Sequence, residues 1–200
     1  MKQIPALVLA AAFVAGSAVH IDGYAFTGWK WAQAKVPMQL RLGTTTLKPV
    51  LIDKATTWNK SASPALSAWN AKIKNTQFSA GSSAGQKAAF DRKNYVFFAA
   101  SAYGKKMGSS VLATAYTWSS AGKALDSDIV FNTKWKWNSY RGNLRGGIHD
   151  VRRVMIHEAG HTLGLHHSNK AGAIMRPFVS NQDKLGADDI AGGQKLYGKK

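Results

Sequence analysis

The 200-residue chain has no cysteine, which excludes disulfides, iron–sulfur clusters, thiolate zinc sites and any cysteine nucleophile. A lipid anchor of the bacterial lipoprotein type is excluded with them. Acid is scarce: 10 Asp and Glu stand against 27 Lys and Arg, for a formal net charge of +17, and only one of the ten is a glutamate, Glu158. A field of that size favours acidic partners, or serves solubility alone. The basic residues are spread along the chain without a polybasic block, and no nucleic-acid partner is expected. The longest apolar run, Ile4 to Ala15, falls short of the roughly 20 residues that a membrane helix needs. Internal repeats are also absent. What remains is one domain with a sizeable core, expected to be a monomer.

The N-terminus has its own order. Lys2 precedes the apolar run, and small residues follow at Gly16, Ser17 and Ala18. That is the pattern of a secretory signal, with cleavage after Ala18 or after Ala25 equally readable. Residues 1–25 are therefore expected to be a signal peptide and residues 26–200 a single catalytic domain, secreted or periplasmic.

Val36, Met38, Leu40 and Leu42 alternate with other residues, the period of a strand with one buried face. Ser63-Pro64 reads as a helix start, with Ser63 as N-cap; an earlier start near Ala55 would leave Pro64 inside the helix. Residues 79–85 read as a small-residue loop. Tyr95–Ala100, Val111–Trp118 and Ile129–Phe131 are strand candidates. Residues 139–147 are polar and glycine-rich, hence a loop, and Asp150 can cap a helix from Val151 to about Gly164. Arg152 and Arg153 are expected to face solvent. A last helix fits Ala187 to Tyr197, with Asp188 and Asp189 in its first turn. Two aromatic–basic clusters, Trp29-Lys30-Trp31 and Lys134-Trp135-Lys136-Trp137, read first as core-facing and second as a polymer-binding surface. Strands come early and the last helices late, so the class is α+β.

Residues 157–167 fit H-E-x-x-H-x-x-G-x-x-H in full. Helix residues four apart share a face, so His157 and His161 can hold one metal from a rigid rod. Gly164 lets the chain leave the helix sharply and bring His167 back as a third ligand. Three imidazoles on Zn²⁺ leave a fourth position for water, which marks a catalytic site. Glu158, beside the first ligand, would act on that water as general base.

Beyond His167 the chain resembles the metzincin metallopeptidases. Ala173-Ile174-Met175 looks like their Met-turn, in which the methionine, here Met175, floors the zinc without binding it. Ser168 is the residue type that matrixins, the matrix metalloproteinase group, carry after the third histidine. Pro177 stands where astacins and serralysins have tyrosine. Met175-Arg176-Pro177-Phe178 resembles the matrixin wall of the S1′ pocket. Residues 185–198 resemble the final matrixin helix, and Leu112-Ala113-Thr114-Ala115 resembles the edge strand that takes substrate as an added strand. The resemblance implies the metzincin, zincin-like fold: a twisted, mostly parallel sheet of about five strands with an active-site helix and a C-terminal helix. It also implies Leu112, Ala113, Pro177 and Phe178 as substrate-binding residues.

The departures are specific. Thr114 and Asp128 stand where animal matrixins carry histidines for a second zinc, so one catalytic zinc is expected. The glycine-rich calcium loop is not visible, which leaves calcium open, with Asp126 and Asp128 as the candidate ligands. Val179 replaces the usual pocket-wall tyrosine. The reading is a small zinc endopeptidase of bacterial style acting on peptide or protein substrates, acidic ones included. The alternatives are a zinc-binding adhesin or toxin-like protein working through its basic surface, and a hydrolase of cell-wall peptides.

Overall fold

The computed structural model of the chain describes residues 19–20, 23–45, 47, 49–82 and 89–200. Of the signal segment expected over residues 1–25, residues 1–18 and 21–22 lie outside the described residues.

Five strands form the main sheet: β1 (Lys35–Leu40), β2 (Gln77–Gly81), β3 (Asn94–Ala99), β4 (Ala113–Ser120) and β5 (Lys123–Asn132). Their spatial order is β2-β1-β3-β5-β4. All pairs are parallel except β4 with β5, which run antiparallel through a tight turn at Ala121 and Gly122. Three helices complete the fold: α1 (Trp58–Asn70), α2 (Val151–Leu163) and α3 (Ala187–Tyr197). This is the expected α+β architecture.

The alternation in β1 explains the layering. Val36, Met38 and Leu40 are buried with Trp69 of α1 and Ile156 of α2 in one hydrophobic core, while Lys35 and Pro37 are exposed on the far face. On the far face a smaller cluster of Tyr95, Phe97, Ala102 and Val130 is covered by the chain after β3. The aromatic–basic clusters belong to the core: Trp29, Trp31 and Trp137 are all buried.

Two local expectations change. Helix α1 begins at Trp58, capped by the Thr57 hydroxyl accepting from Lys60 N at 3.2 Å, so Pro64 lies inside it and Ser63 is not the cap. The hydrogen bond that Pro64 cannot donate belongs to the carbonyl of Lys60, an exposed residue that water can reach. The loop expected from Ser79 begins later, because β2 runs on to Gly81 in register with Gln39 of β1. The free edge of β2 is bracketed by Asn70 of α1, whose amide donates to Phe78 O and accepts from Phe78 N, both at 2.8 Å. That blocks strand addition at this edge and leaves β4 as the open one.

Candidate active site

Helix α2 carries the motif, and its position is held from several sides. The Asp150 side chain accepts from Arg152 N at 3.2 Å and caps the N-terminus. At the other end the last four carbonyls are all satisfied: Gly160 O by Leu165 N, His161 O by Gly164 N, Thr162 O by Trp31 Nε1 and Leu163 O by Tyr197 Oη, at 2.6–3.0 Å. Gly164 takes φ 101°, and a Cβ there would run into the carbonyl of Trp29, so the position is glycine for two reasons. Trp69 Nε1 donates to Ile156 O at 2.8 Å and pins the middle of α2 to α1.

This frame brings His157, His161 and His167 together, with one ring nitrogen from each within 4.8 Å of the others. The Nδ1 atoms of His157 and His161 lie 2.7 Å from Ile174 O and 2.8 Å from Leu165 O. Carbonyls only accept, so both Nδ1 atoms carry the proton and both Nε2 atoms present lone pairs. Those two Nε2 atoms are 3.0 Å apart. Facing lone pairs repel unless a cation lies between them, and imidazoles on zinc, with Zn–N of about 2.0–2.1 Å, stand about 3.3 Å apart. Burial, reinforced by His167, pushes His157 down to about 3. Burial and the neighbouring imidazoles push His161 well below its ordinary value. Neutral imidazole is the form that binds metal, so the donor set fits zinc.

Glu158 sits one residue on and is fully buried. Among the described residues neither carboxyl oxygen has a hydrogen-bond partner. Burial raises Glu158 well above the usual carboxylate range, and the nearby Ala115 backbone on β4 offsets only part of that. A buried acid left so bare is poised toward something that binds there.

Met175 is 1% exposed and packs under α2, where a Cβ on Gly160 would strike its sulfur. The turn that presents it is held by Asp189 of α3, a residue expected only to suit the helix dipole. Its carboxylate accepts from Ile174 N, Gly186 N and Met175 N at 2.7, 2.7 and 3.1 Å. Asp188 beside it accepts from Ser168 Oγ at 2.6 Å and Tyr24 N at 3.1 Å. Leu112 and Ala113 are fully buried at the start of β4, the outer strand, so only their backbone is presented at the sheet edge. Pro177 is half-buried, and Phe178 is exposed and lines a small cavity with His157.

Arg153 is the main correction at the site. Expected in solvent, it is 2% exposed. Its guanidinium donates to Ser180 O at 2.7 Å and to Gly142 O, lies over the Tyr140 ring and stands 3.8 Å from Asp150. With His157, Ile174, Phe178 and Val179 it closes on a cavity of about 10 Å³. Asp126 and Asp128, the candidate calcium ligands, are buried on β5, and Asp126 Oδ1 has no hydrogen-bond partner among the described residues. Asp126 accepts from Asp91 N and Arg92 N at 2.9 and 2.7 Å, and Asp128 from Tyr95 N at 2.8 Å and the Tyr103 hydroxyl at 2.5 Å.

Residues 30–198 match the model of the peptidase family described as Matrixin. The chain belongs to the matrixin family of zinc metalloendopeptidases. It is 40% identical over 81 residues to matrix metalloproteinase-16 of Homo sapiens, covering 38% of this chain and 13% of that protein. With matrilysin of Homo sapiens it shares 39% over 83 residues, 40% of this chain and 30% of that protein. With interstitial collagenase of Equus caballus it shares 39% over 79 residues, 38% and 16% respectively. The matched segments thus span less than a third of each of these relatives. No helix among the described residues is long and apolar enough to cross a membrane.

Proposed function

We propose that the protein is a secreted endopeptidase in which His157, His161 and His167 hold one zinc ion and Glu158 is the general base. The observation that carries this is the bare, buried carboxyl of Glu158 beside three convergent imidazoles, two of them with their tautomer set by backbone carbonyls. Bound zinc would supply Lewis-acid polarisation of the scissile carbonyl and acidify a water. The chain's own residues do the rest. Glu158 takes the proton of the attacking water and passes it to the leaving amine. The open edge of β4 receives the substrate backbone as an added strand. Met175 fills the space below the imidazoles and keeps it dry.

The cavity beneath His157 has room for about one water. Arg153 lines it and is tied on several sides, which favours a short side chain after the scissile bond. The surroundings of Ala25 support signal cleavage after Ala18. Ala25 is fully buried, and its carbonyl accepts from His166 N at 2.7 Å, a contact that a cut after Ala25 would remove.

Glu158→Ala decides the mechanism. It should keep one zinc per chain and lose at least about 10²-fold in peptide cleavage, the usual scale of general-base catalysis. Turnover near that of the parent would refute the assignment. His161→Ala should lose both metal and activity.

A further inference from the structure

We infer that a basic groove on the far face of the sheet, bounded by Lys35, Arg92 and Lys93, binds an acidic stretch of polypeptide; as a substrate exosite it rests on the peptidase reading above. The groove has a volume of about 480 Å³, and no acidic side chain lines it. Its floor is the outward face of β1, where Lys35, Pro37 and Gln39 alternate with the buried Val36 and Met38. Helix α2 and the histidines lie on the other side of the sheet, so this is a separate site.

The basic corner is built rather than incidental. Arg92 has φ 62°, in the left-handed region. That turn is held by buried Asp126, which accepts from Asp91 N and Arg92 N at 2.9 and 2.7 Å, while Lys93 N donates to Asp91 Oδ1 at 2.9 Å. Three cations are thus presented from a fixed backbone, with Lys35, Arg92 and Lys93 all exposed.

The floor favours a polypeptide over an anionic polysaccharide. Its outward residues recur about every 6.8 Å along the strand, the same interval at which an extended peptide presents every second side chain. Pro37 and Leu125 give apolar contact between the charges. The one aromatic in the lining, Trp31, is 3% exposed and offers no free ring for a sugar to stack on. Because Asn70 brackets the nearby β2 edge, the peptide is held by side-chain charge and not by strand addition.

The test compares two triple variants, Lys35→Gln/Arg92→Asn/Lys93→Gln in the groove and Lys60→Gln/Lys72→Gln/Lys74→Gln on exposed positions elsewhere. Anisotropy of a labelled Glu-Ser repeat peptide measures binding directly. Two cleavable peptides, neutral and otherwise identical but for an acidic tail, measure kcat/KM. The groove variant should bind the acidic peptide about tenfold more weakly and lose the advantage of the tailed substrate, with the neutral peptide unchanged. Equal weakening in both triple variants would mean a diffuse field and overturn the site. Loss of binding to a sulfated polysaccharide with the acidic peptide unaffected would overturn the choice of ligand. If neither peptide is cleaved, the peptidase reading fails while the anisotropy still decides the groove.

Discussion

Gly160→Ala tests how the Met175 turn supports the metal site, and two opposing effects set the outcome. Gly160 lies on α2 between His157 and His161. Alanine is the better helix residue by roughly 0.5–1 kcal/mol. Its Cβ, however, would overlap the Met175 sulfur and stand 3.0 Å from both Met175 Cε and Trp69 Cζ2. Trp69 cannot yield, because its indole is hydrogen-bonded to Ile156 O at 2.8 Å and it is fully buried. Met175 must therefore move, and overpacking of this kind costs about 1–3 kcal/mol. Overpacking outweighs propensity, so the variant should be destabilised by about 1–2 kcal/mol in denaturant melts of the chelated protein. Zinc affinity should fall as well, since Ile174 O, next to Met175, orients His157. Met175→Ala alone should cost about 2–5 kcal/mol by opening a cavity. The added methyl fills part of that cavity, so the double variant should be less unstable than the two single losses predict, by 1 kcal/mol or more. Strict additivity would refute the contact, as would Gly160→Ala matching the parent in both stability and zinc affinity.

Three further outcomes follow from other parts of the structure. Burial first, with the nearby Asp126 and Asp91 charges, raises Asp128 to about 7, outweighing its bonds from Tyr103 and Tyr95. A carboxyl raised on folding contributes stability below its unfolded value near 4 and loses it as pH rises through 7, at most about 4 kcal/mol at 1.36 kcal/mol per unit. Asp128→Asn should therefore flatten the pH dependence of stability between pH 4 and 7 and be the more stable protein at pH 8; an unchanged slope in urea melts would contradict this. Arg153→Ala should open the cavity beneath His157 and shift peptide-library cleavage toward longer side chains after the scissile bond, at a cost of about 3 kcal/mol for the broken buried ion pair; unchanged preference would show that Arg153 does not set pocket depth. Asn70→Ala should leave the Phe78 N–H and C=O unpaired, lower stability by about 1–3 kcal/mol and raise self-association through β2, measurable by sedimentation.

The motif helix was legible because its signals are local. The Asp150 cap, the four-residue histidine spacing and the Gly164 exit all lie within one short stretch, and the helix observed is Val151–Leu163. The alternation in β1 was legible for the same reason. What the sequence hid depends on partners far away in the chain. Only Ile129–Phe131 of β5 read as strand, because Lys123 to Asp128 includes two carboxylates. Those acids are buried in a ten-residue strand where amides of Asp91, Arg92 and Tyr95, more than thirty positions earlier, donate to Asp126 Oδ2 and to Asp128. Residues 79–81 looked like loop because small residues carry no strand signal of their own; pairing with β1 makes them strand. Pro64 argued for a helix start, yet the helix could begin earlier because the bond it forfeits faces water.

Arg153 shows how little composition alone says about burial. Two adjacent arginines read as a solvated face, and on burial an unpaired guanidinium would be costly. The cost is reduced by partners that no spacing rule could have supplied: Ser180 O and Gly142 O from two loops, the Asp150 carboxylate one turn back and the Tyr140 ring. Asp150 in turn is shared with Arg141 at 3.0 Å, so the residue that caps the motif helix also faces the arginine that lines the cavity. Helix start, loop 139–147 and pocket depth are therefore one electrostatic unit. A substitution at Asp150 should disturb all three at once, whereas one at Arg152, half-buried two residues on and without a hydrogen bond to the Asp150 carboxylate from its side chain, should disturb them less.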